Sequence, residues 1–350
     1  MHLSKLKTCA NKKIVYKTVY FLSILVLILF AVSVVFFVLL GKQKAQEYIP
    51  DTGGIAFDEM QKFTQKFPVG VYPIRKEIIE SPLVELYFED RMLKEGIVAS
   101  KTGWIEHALG KLALVGLYQN IASLSSRLLV IEPGERKEQI ADHFAEILKW
   151  DTSSKQEFLD QIINTAPEIP DGKFFPGTYT VARGATPNDV STLIIKRFDD
   201  EVFSRYGDDT EKQVPLADIL TIASMLEREA YDFVDMRLIS GVIWNRLFID
   251  MNLQIDATLQ YAKGSKDVAT WWPKVVPSDK YIASVYNTYK NSGLPPSPIA
   301  NPSIDSILAA LNPRKTDCMF YFHDKQAGFH CSSTYEGHVK LLKEYYGSGK

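Results

Sequence analysis

The sequence predicts an α+β protein with a single N-terminal transmembrane helix, a small α+β module, and a mostly helical C-terminal domain that carries a β-hairpin. Three observations predict it. An uncharged apolar run fills residues 19–40, apolar stripes of helical period dominate after residue 213, and short β-type segments bounded by turn residues recur near residues 128, 178 and 320. With 350 residues, 46% hydrophobic and 23% charged, the chain has material for two or three packed domains and is not disordered.

Val19 to Leu40 carries no charge and, at 22 residues, is long enough to cross a bilayer as a helix. Lys5, Lys7, Lys12, Lys13 and Lys17 precede it with no acidic residue, so the positive-inside rule makes residues 1–18 a cytoplasmic tail and puts everything after Leu40 outside. A cleaved signal peptide is the competing reading. Gly41-Lys42-Gln43-Lys44 offers no small-x-small cleavage site, and the run exceeds a usual h-region. Without the five lysines, 35 basic residues face 42 acidic ones, which argues against a nucleic-acid partner.

Residues 41–127 read as a membrane-proximal, mostly helical region, with helical spacing in Leu83–Gly96 and Trp104–Leu124. Residues 128–200 form the module. Leu128–Ile131 is a strand, Glu132-Pro133-Gly134-Glu135 a turn, and Ile140, Phe144, Ile147 and Leu148 a helical stripe. A second helix covers Lys155–Asn164, Thr178–Val181 returns as a strand, and Thr186-Pro187-Asn188-Asp189 caps another helix. In the C-terminal domain, 201–350, the pattern is helical from Gln213 to Phe248 and turn-rich to Ala300. A helix capped by Ser303 follows, then a hairpin of Met319–Phe322 and Phe329–Ser332, then a helix from Tyr335 to Tyr345. Cys318 and Cys331 face each other across that hairpin or remain two small apolar residues, and spacing does not decide between these.

Leu216–Ala230, LADILTIASMLEREA, is apolar on most sides and ends by carrying Glu227 out of a greasy surface. Such surroundings keep a carboxyl protonated to higher pH, the state a general acid needs. Thr221, Ser224 and Glu227 share one face, whereas Glu229, two residues on, points elsewhere and suits a surface position with at most a tuning effect on Glu227. An ion pair of Glu227 with Arg246 is the bland alternative. Downstream, Gln254, Asp256, Asn287 and Tyr289 supply amide, carboxylate and aromatic groups of the kind a carbohydrate groove uses, or merely loop-stabilising hydrogen bonds. His323, His330 and His338 lack carboxylate or thiolate partners at metal-binding spacing, so no metal is expected.

Ala223-Ser224-Met225-Leu226-Glu227-Arg228-Glu229, Asn245-Arg246-Leu247, Leu253-Gln254-Ile255-Asp256-Ala257-Thr258, Tyr286-Asn287-Thr288-Tyr289, Gly293-Leu294-Pro295-Pro296 and Thr334-Tyr335-Glu336-Gly337-His338 occur in this order. The set resembles the YceG-like (MltG) family of endolytic murein transglycosylases over roughly residues 128–345. The resemblance implies a bacterial, inner-membrane, single-pass lyase of cell-wall biogenesis with a LysM-like module and an extracytoplasmic or periplasmic catalytic domain. It maps the catalytic glutamate onto Glu227; to Gln254, Asp256, Asn287 and Tyr289 we assign the holding of the glycan and the orienting of its acetamido groups. It further implies peptidoglycan strands as substrate, no cofactor, and partners among peptidoglycan synthases and division machinery. Three positions depart from the pattern: Ala257 replaces a usual proline, Gly177 a usual aspartate, and Cys331 a usual aromatic residue.

In the mechanism so implied, one carboxyl protonates the glycosidic oxygen between N-acetylmuramic acid and N-acetylglucosamine, then accepts the proton of the C6 hydroxyl as a 1,6-anhydro ring closes. The rivals are a muramidase in which Asp256 activates water, which needs two carboxylates, and a noncatalytic wall-binding or division scaffold.

Overall fold

The computed structural model describes residues 66–82, 84–86, 88, 126–265 and 270–347. The apolar run 19–40, the tail before it and most of residues 41–127 lie outside these. Among the described residues no helix is long and apolar enough to cross a membrane. The chain divides into residues 1–55 and 56–350, and the second unit holds every described residue.

Described parts of the region before the module pack into the C-terminal core instead of standing apart. Strands β1 (Val71–Tyr72) and β2 (Glu77–Ile78) form a two-residue antiparallel ladder where a mostly helical region was expected. Phe67, Val71, Ile78, Val84 and Phe88 are buried in that core. Arg237 grips Glu85 with both terminal nitrogens (3.0 and 2.6 Å), and Asn312 donates to the Pro68 carbonyl at 2.8 Å.

The module follows the expected strand, helix, helix, strand order. Strand β3 (Ser126–Ile131) pairs antiparallel with β4 (Gly177–Ala182), Leu129 opposite Tyr179. Helix α1 (Lys137–Leu148) buries Ile140 and Phe144, and α2 (Thr152–Ile163) buries Phe158 and Ile162. The α2 N-terminus is capped by Asp151, which accepts from the Ser154 N–H at 2.8 Å. Helix α3 (Pro187–Phe198) opens on the Thr186–Asp189 capping box and adds Val190 and Ile194 to the same core. It runs through a π-helical turn (Asp199–Phe203) into α4 (Ser204–Gln213).

The C-terminal domain is built on three helices: α5 (Leu216–Glu229), α6 (Phe233–Phe248) and α8 (Ile304–Leu311), preceded in sequence order by the short α7 (Asp256–Lys263). Gly241 lets α6 approach the chain after α8, because a Cβ there would sit 2.2 Å from the Arg314 carbonyl oxygen. Strands β5 (Phe320–His323) and β6 (Phe329–Ser332) form the expected hairpin, and α9 (Tyr335–Tyr346) lies against it. A Cys318–Cys331 disulfide, Cα atoms 5.7 Å apart, closes the hairpin. The cystine occupies the position where an aromatic residue was expected.

Asn301 ties the module to this domain. Its Oδ1 accepts from the N–H groups of Gly172 (2.7 Å) and Phe174 (2.9 Å), its Nδ2 donates to the Glu135 carbonyl (3.0 Å), and its backbone pairs with Gly134 and Glu135. Beside it, Lys137 and Tyr261 both reach the buried Asp171 carboxylate at 2.9 Å.

Candidate active site

Helix α5 buries Ile219, Leu220, Ile222, Ala223, Met225 and Leu226, so its C-terminus is held rigidly in the core. It stops at Ala230, whose backbone is extended, and α6 restarts under an Asp232 cap that accepts from the Asp235 N–H at 2.9 Å. Glu227 and Glu229 therefore leave one fixed helix end about 200° apart around its axis.

They do different things. The face of Thr221, Ser224 and Glu227 meets the segment before α8. Ser224 Oγ accepts from the Ile299 N–H at 3.0 Å, and Glu227 Oε2 accepts from Ser303 N–H at 2.9 Å and Ser303 Oγ–H at 2.7 Å. The Cγ of Glu227 comes near Gly134 of the module turn. Glu227 is thus engaged at a junction of loops, and Arg246 is not its partner.

Glu229 lies on the face of Ile222, Met225 and Leu226, and it lines a cleft of about 530 Å³ together with Gln254, Asp256, Tyr289, Arg246 and Tyr321. Its Oε1 accepts from the Ala257 N–H at 3.2 Å and its Oε2 from the Tyr321 hydroxyl at 3.1 Å. Burial pushes its carboxyl above the ordinary value; the Ala257 N–H and the Tyr321 hydroxyl pull it back, and Asp256 pushes it up again. The surface position expected for Glu229 is corrected by this placement. Desolvation and a place at the cleft come together in Glu229.

The cleft floor comes from the loop before α7. Gln254 has a left-handed backbone (φ 53°), and the loop is stitched to residues 287–289. Gln254 N–H donates to the Thr288 carbonyl at 3.0 Å, Ile255 N–H to Thr288 Oγ at 3.0 Å, and Asn252 Nδ2 to the Tyr289 carbonyl at 2.9 Å. Tyr289 donates its hydroxyl to Asp256 Oδ1 at 2.6 Å. Asn287 does not reach the cleft. It is fully buried, donating to the carbonyls of Lys280 (3.1 Å) and Ile282 (2.8 Å) and accepting from the Tyr289 N–H, so it shapes the loop that presents Tyr289.

The roof is the hairpin. Tyr321 and His323 are two apart on β5 and so share a face. Burial, and next the neighbouring Glu229 carboxylate, push the Tyr321 phenol far above its ordinary value, so it remains a donor. His323 Nε2 sits 2.9–3.0 Å from both Asp235 oxygens, while His330 is taken up by Asp324 at 2.7 Å. His338 Nδ1 is buried without a hydrogen-bond partner among the described residues. Arg246 joins roof to floor by donating to the Met319 carbonyl at 2.7 Å and to the Leu253 carbonyl.

Tyr321 and His323 were missed as cleft residues in the sequence because a hairpin's facing cannot be assigned before its register is known. For Glu229 a signal existed, since it recurs at helical spacing with Ile222, Met225 and Leu226, the more apolar side of α5.

A desolvated carboxyl held between a tyrosine-bearing hairpin and a polar loop defines the class: a groove protein with Glu229 as its desolvated acid and Asp256 beside it. The chain belongs to the YceG-like family, whose family model matches residues 76–344. It is 34% identical over 201 residues to an endolytic murein transglycosylase of Bacillus subtilis strain 168, covering 55% of this chain and 54% of that one. It is 32% identical over 179 residues to an endolytic murein transglycosylase of Streptococcus pneumoniae serotype 2 strain D39, covering 51% of this chain and 32% of that one. The chain thus spans about a third to a half of the length of these relatives. A crystal structure of a yceG-like protein from Listeria monocytogenes matches with a TM-score of 0.53 and 32% identity, over 61% of this chain and 75% of that chain.

Proposed function

We propose that this chain is an endolytic peptidoglycan lytic transglycosylase, and that Glu229 is its acid. The supporting observation is the placement of Glu229: a carboxyl with a raised proton affinity, open to a cleft, bonded to Tyr321 and next to Gln254, Asp256 and Tyr289. Names of similar proteins support the reaction class and substrate.

Protonated Glu229 donates to the glycosidic oxygen between N-acetylmuramic acid and N-acetylglucosamine, and that bond breaks as the N-acetylglucosamine hydroxyl leaves. The C6 hydroxyl of the muramic ring then attacks C1, its proton returns to the Glu229 carboxylate, and a 1,6-anhydro end forms. No water is consumed and the acid is regenerated. Tyr321 and the Ala257 N–H stabilise the carboxylate between the two transfers; Gln254, Asp256 and Tyr289 hold the glycan. Cleavage within nascent strands would limit their length. The 19–40 run anchors the chain in the bacterial inner membrane in this reading, with residues 128–200 as a LysM-like module outside it, near the synthases and division machinery.

The test is digestion of un-crosslinked glycan by the full chain in detergent, with product ends read by mass. Anhydro ends, lighter by one water than reducing ends, support the proposal. Reducing ends would instead favour a muramidase using Asp256, and absence of cleavage a wall-binding scaffold.

A further inference from the structure

A second cavity lies away from the cleft and shares no lining residue with it. About 750 Å³ opens between the loop leaving α2 and the α3–α4–α5 run, within the 300–1,000 Å³ usual for small-ligand sites. Its lining includes Lys173, which is only 8% exposed. The Lys173 ammonium donates to Thr165 Oγ at 2.8 Å and faces the Phe198 ring at 5.4 Å, and among the described residues it has no carboxylate at ion-pair distance. A largely buried lysine whose ammonium has one neutral hydrogen-bond partner, and which feels Asp199 and Glu168 only through space, lacks a direct counter-charge and keeps two N–H donors to offer. Ile169, Phe198 and Leu216 make part of the wall apolar. At the rim, Asp200 is paired with Lys196 and Glu211 accepts from the Leu216 N–H, whereas Glu168 and Asp199 are exposed and have no ion-pair partner among the described residues.

This combination fits neither a simple anion, which the rim carboxylates would repel, nor a simple cation, which Lys173 would repel. It fits a molecule carrying both charges around an apolar body. We propose that this cavity binds a zwitterionic peptide end, its carboxylate on Lys173 and an ammonium at Glu168 and Asp199. Burial already lowers the proton affinity of Lys173, and a bound carboxylate would restore it. Choosing the cell-wall stem peptide as the source rests on the function proposed above; the charge pattern itself does not. A stem docked here would hold a strand by its peptide while the glycan occupies the cleft at Glu229.

The test is calorimetric titration of the full chain with L-lysyl-D-alanine, with its C-terminal amide, and with its diacetylated form. The free dipeptide should bind saturably at one site, and removing either charge should weaken it by roughly tenfold or more, the worth of a charge-assisted hydrogen bond. Lys173→Met, with its fold checked by thermal melting, should bind dipeptide and amide alike. Paired Glu168→Gln and Asp199→Asn changes should erase the distinction between the dipeptide and its diacetylated form. Equal binding of all three probes by the wild type, no saturable binding at millimolar concentration, or undiminished discrimination by Lys173→Met would overturn the proposal. The two readings separate cleanly. Lys173→Met should still cleave stem-free glycan, and Glu229→Gln should still bind the dipeptide.

Discussion

Ala257 donates its backbone N–H to Oε1 of Glu229 across 3.2 Å, at a position where the family resemblance led us to expect proline. A proline has no N–H to give. The chain therefore supplies its cleft acid with a donor that stabilises the carboxylate form and lowers its proton affinity. Ala257→Pro sits in the first turn of α7, where proline is tolerated. The variant should fold, and the pH above which glycan cleavage falls should move upward, as read from a pH–rate profile. An unchanged profile would show that this hydrogen bond does not tune the acid.

Glu229→Gln should lower cleavage by about 10²–10⁴-fold, the usual contribution of a general acid. It should also raise thermal stability at neutral pH. Because the folded value of Glu229 is raised, the unfolded chain releases this proton first as pH increases, so the carboxyl costs the folded state stability above the unfolded value, near 4.3. The stability advantage of the glutamine should vanish as pH falls below that value, which melting curves across pH would reveal.

Glu227→Ala should retain cleavage within a few-fold but destabilise the fold by about 1–3 kcal/mol, since the Ser303 N–H and hydroxyl lose their shared acceptor. Chemical denaturation together with a cleavage assay separates these effects. If Glu227→Ala abolishes turnover while Glu229→Gln does not, the two glutamates must exchange roles.

Asn301→Ala should loosen the join between module and C-terminal domain, at a cost of about 2–4 kcal/mol for the several buried bonds left unmade. Hydrogen exchange should accelerate first at the Gly172 and Phe174 amides.

Replacing Cys318 and Cys331 together by serine should cost about 2–3 kcal/mol in the chain-entropy picture of a short loop. A lowered melting temperature, matched by the wild type after reduction, is the expected result.

Much of this fold was written locally. The module's third helix announces itself through Thr186 and Pro187, and the final hairpin through its aromatic runs between turn residues, whereas the Asp151 cap that starts α2 at Thr152, ahead of the expected Lys155, was overlooked. The cleft was half legible. Gln254, Asp256 and Tyr289 converge on it as their residue types suggested, but Asn287 turns inward and Glu227 turns to Ser303. What sequence pattern could not supply was which side of α5 meets a cavity and which meets a loop, because both sides carry apolar residues and the difference lies in long-range packing. The Cys318–Cys331 pairing was undecided for the same reason: hairpin register sets it.

Arg246 spends its guanidinium on two carbonyls, one at the foot of the hairpin and one in the loop before α7. Those anchors clamp opposing walls to a single side chain, so neither wall can swing away alone. A disturbance of that one guanidinium would therefore loosen both walls together, so the shape of the cleft and the setting of its acid hang on a single side chain.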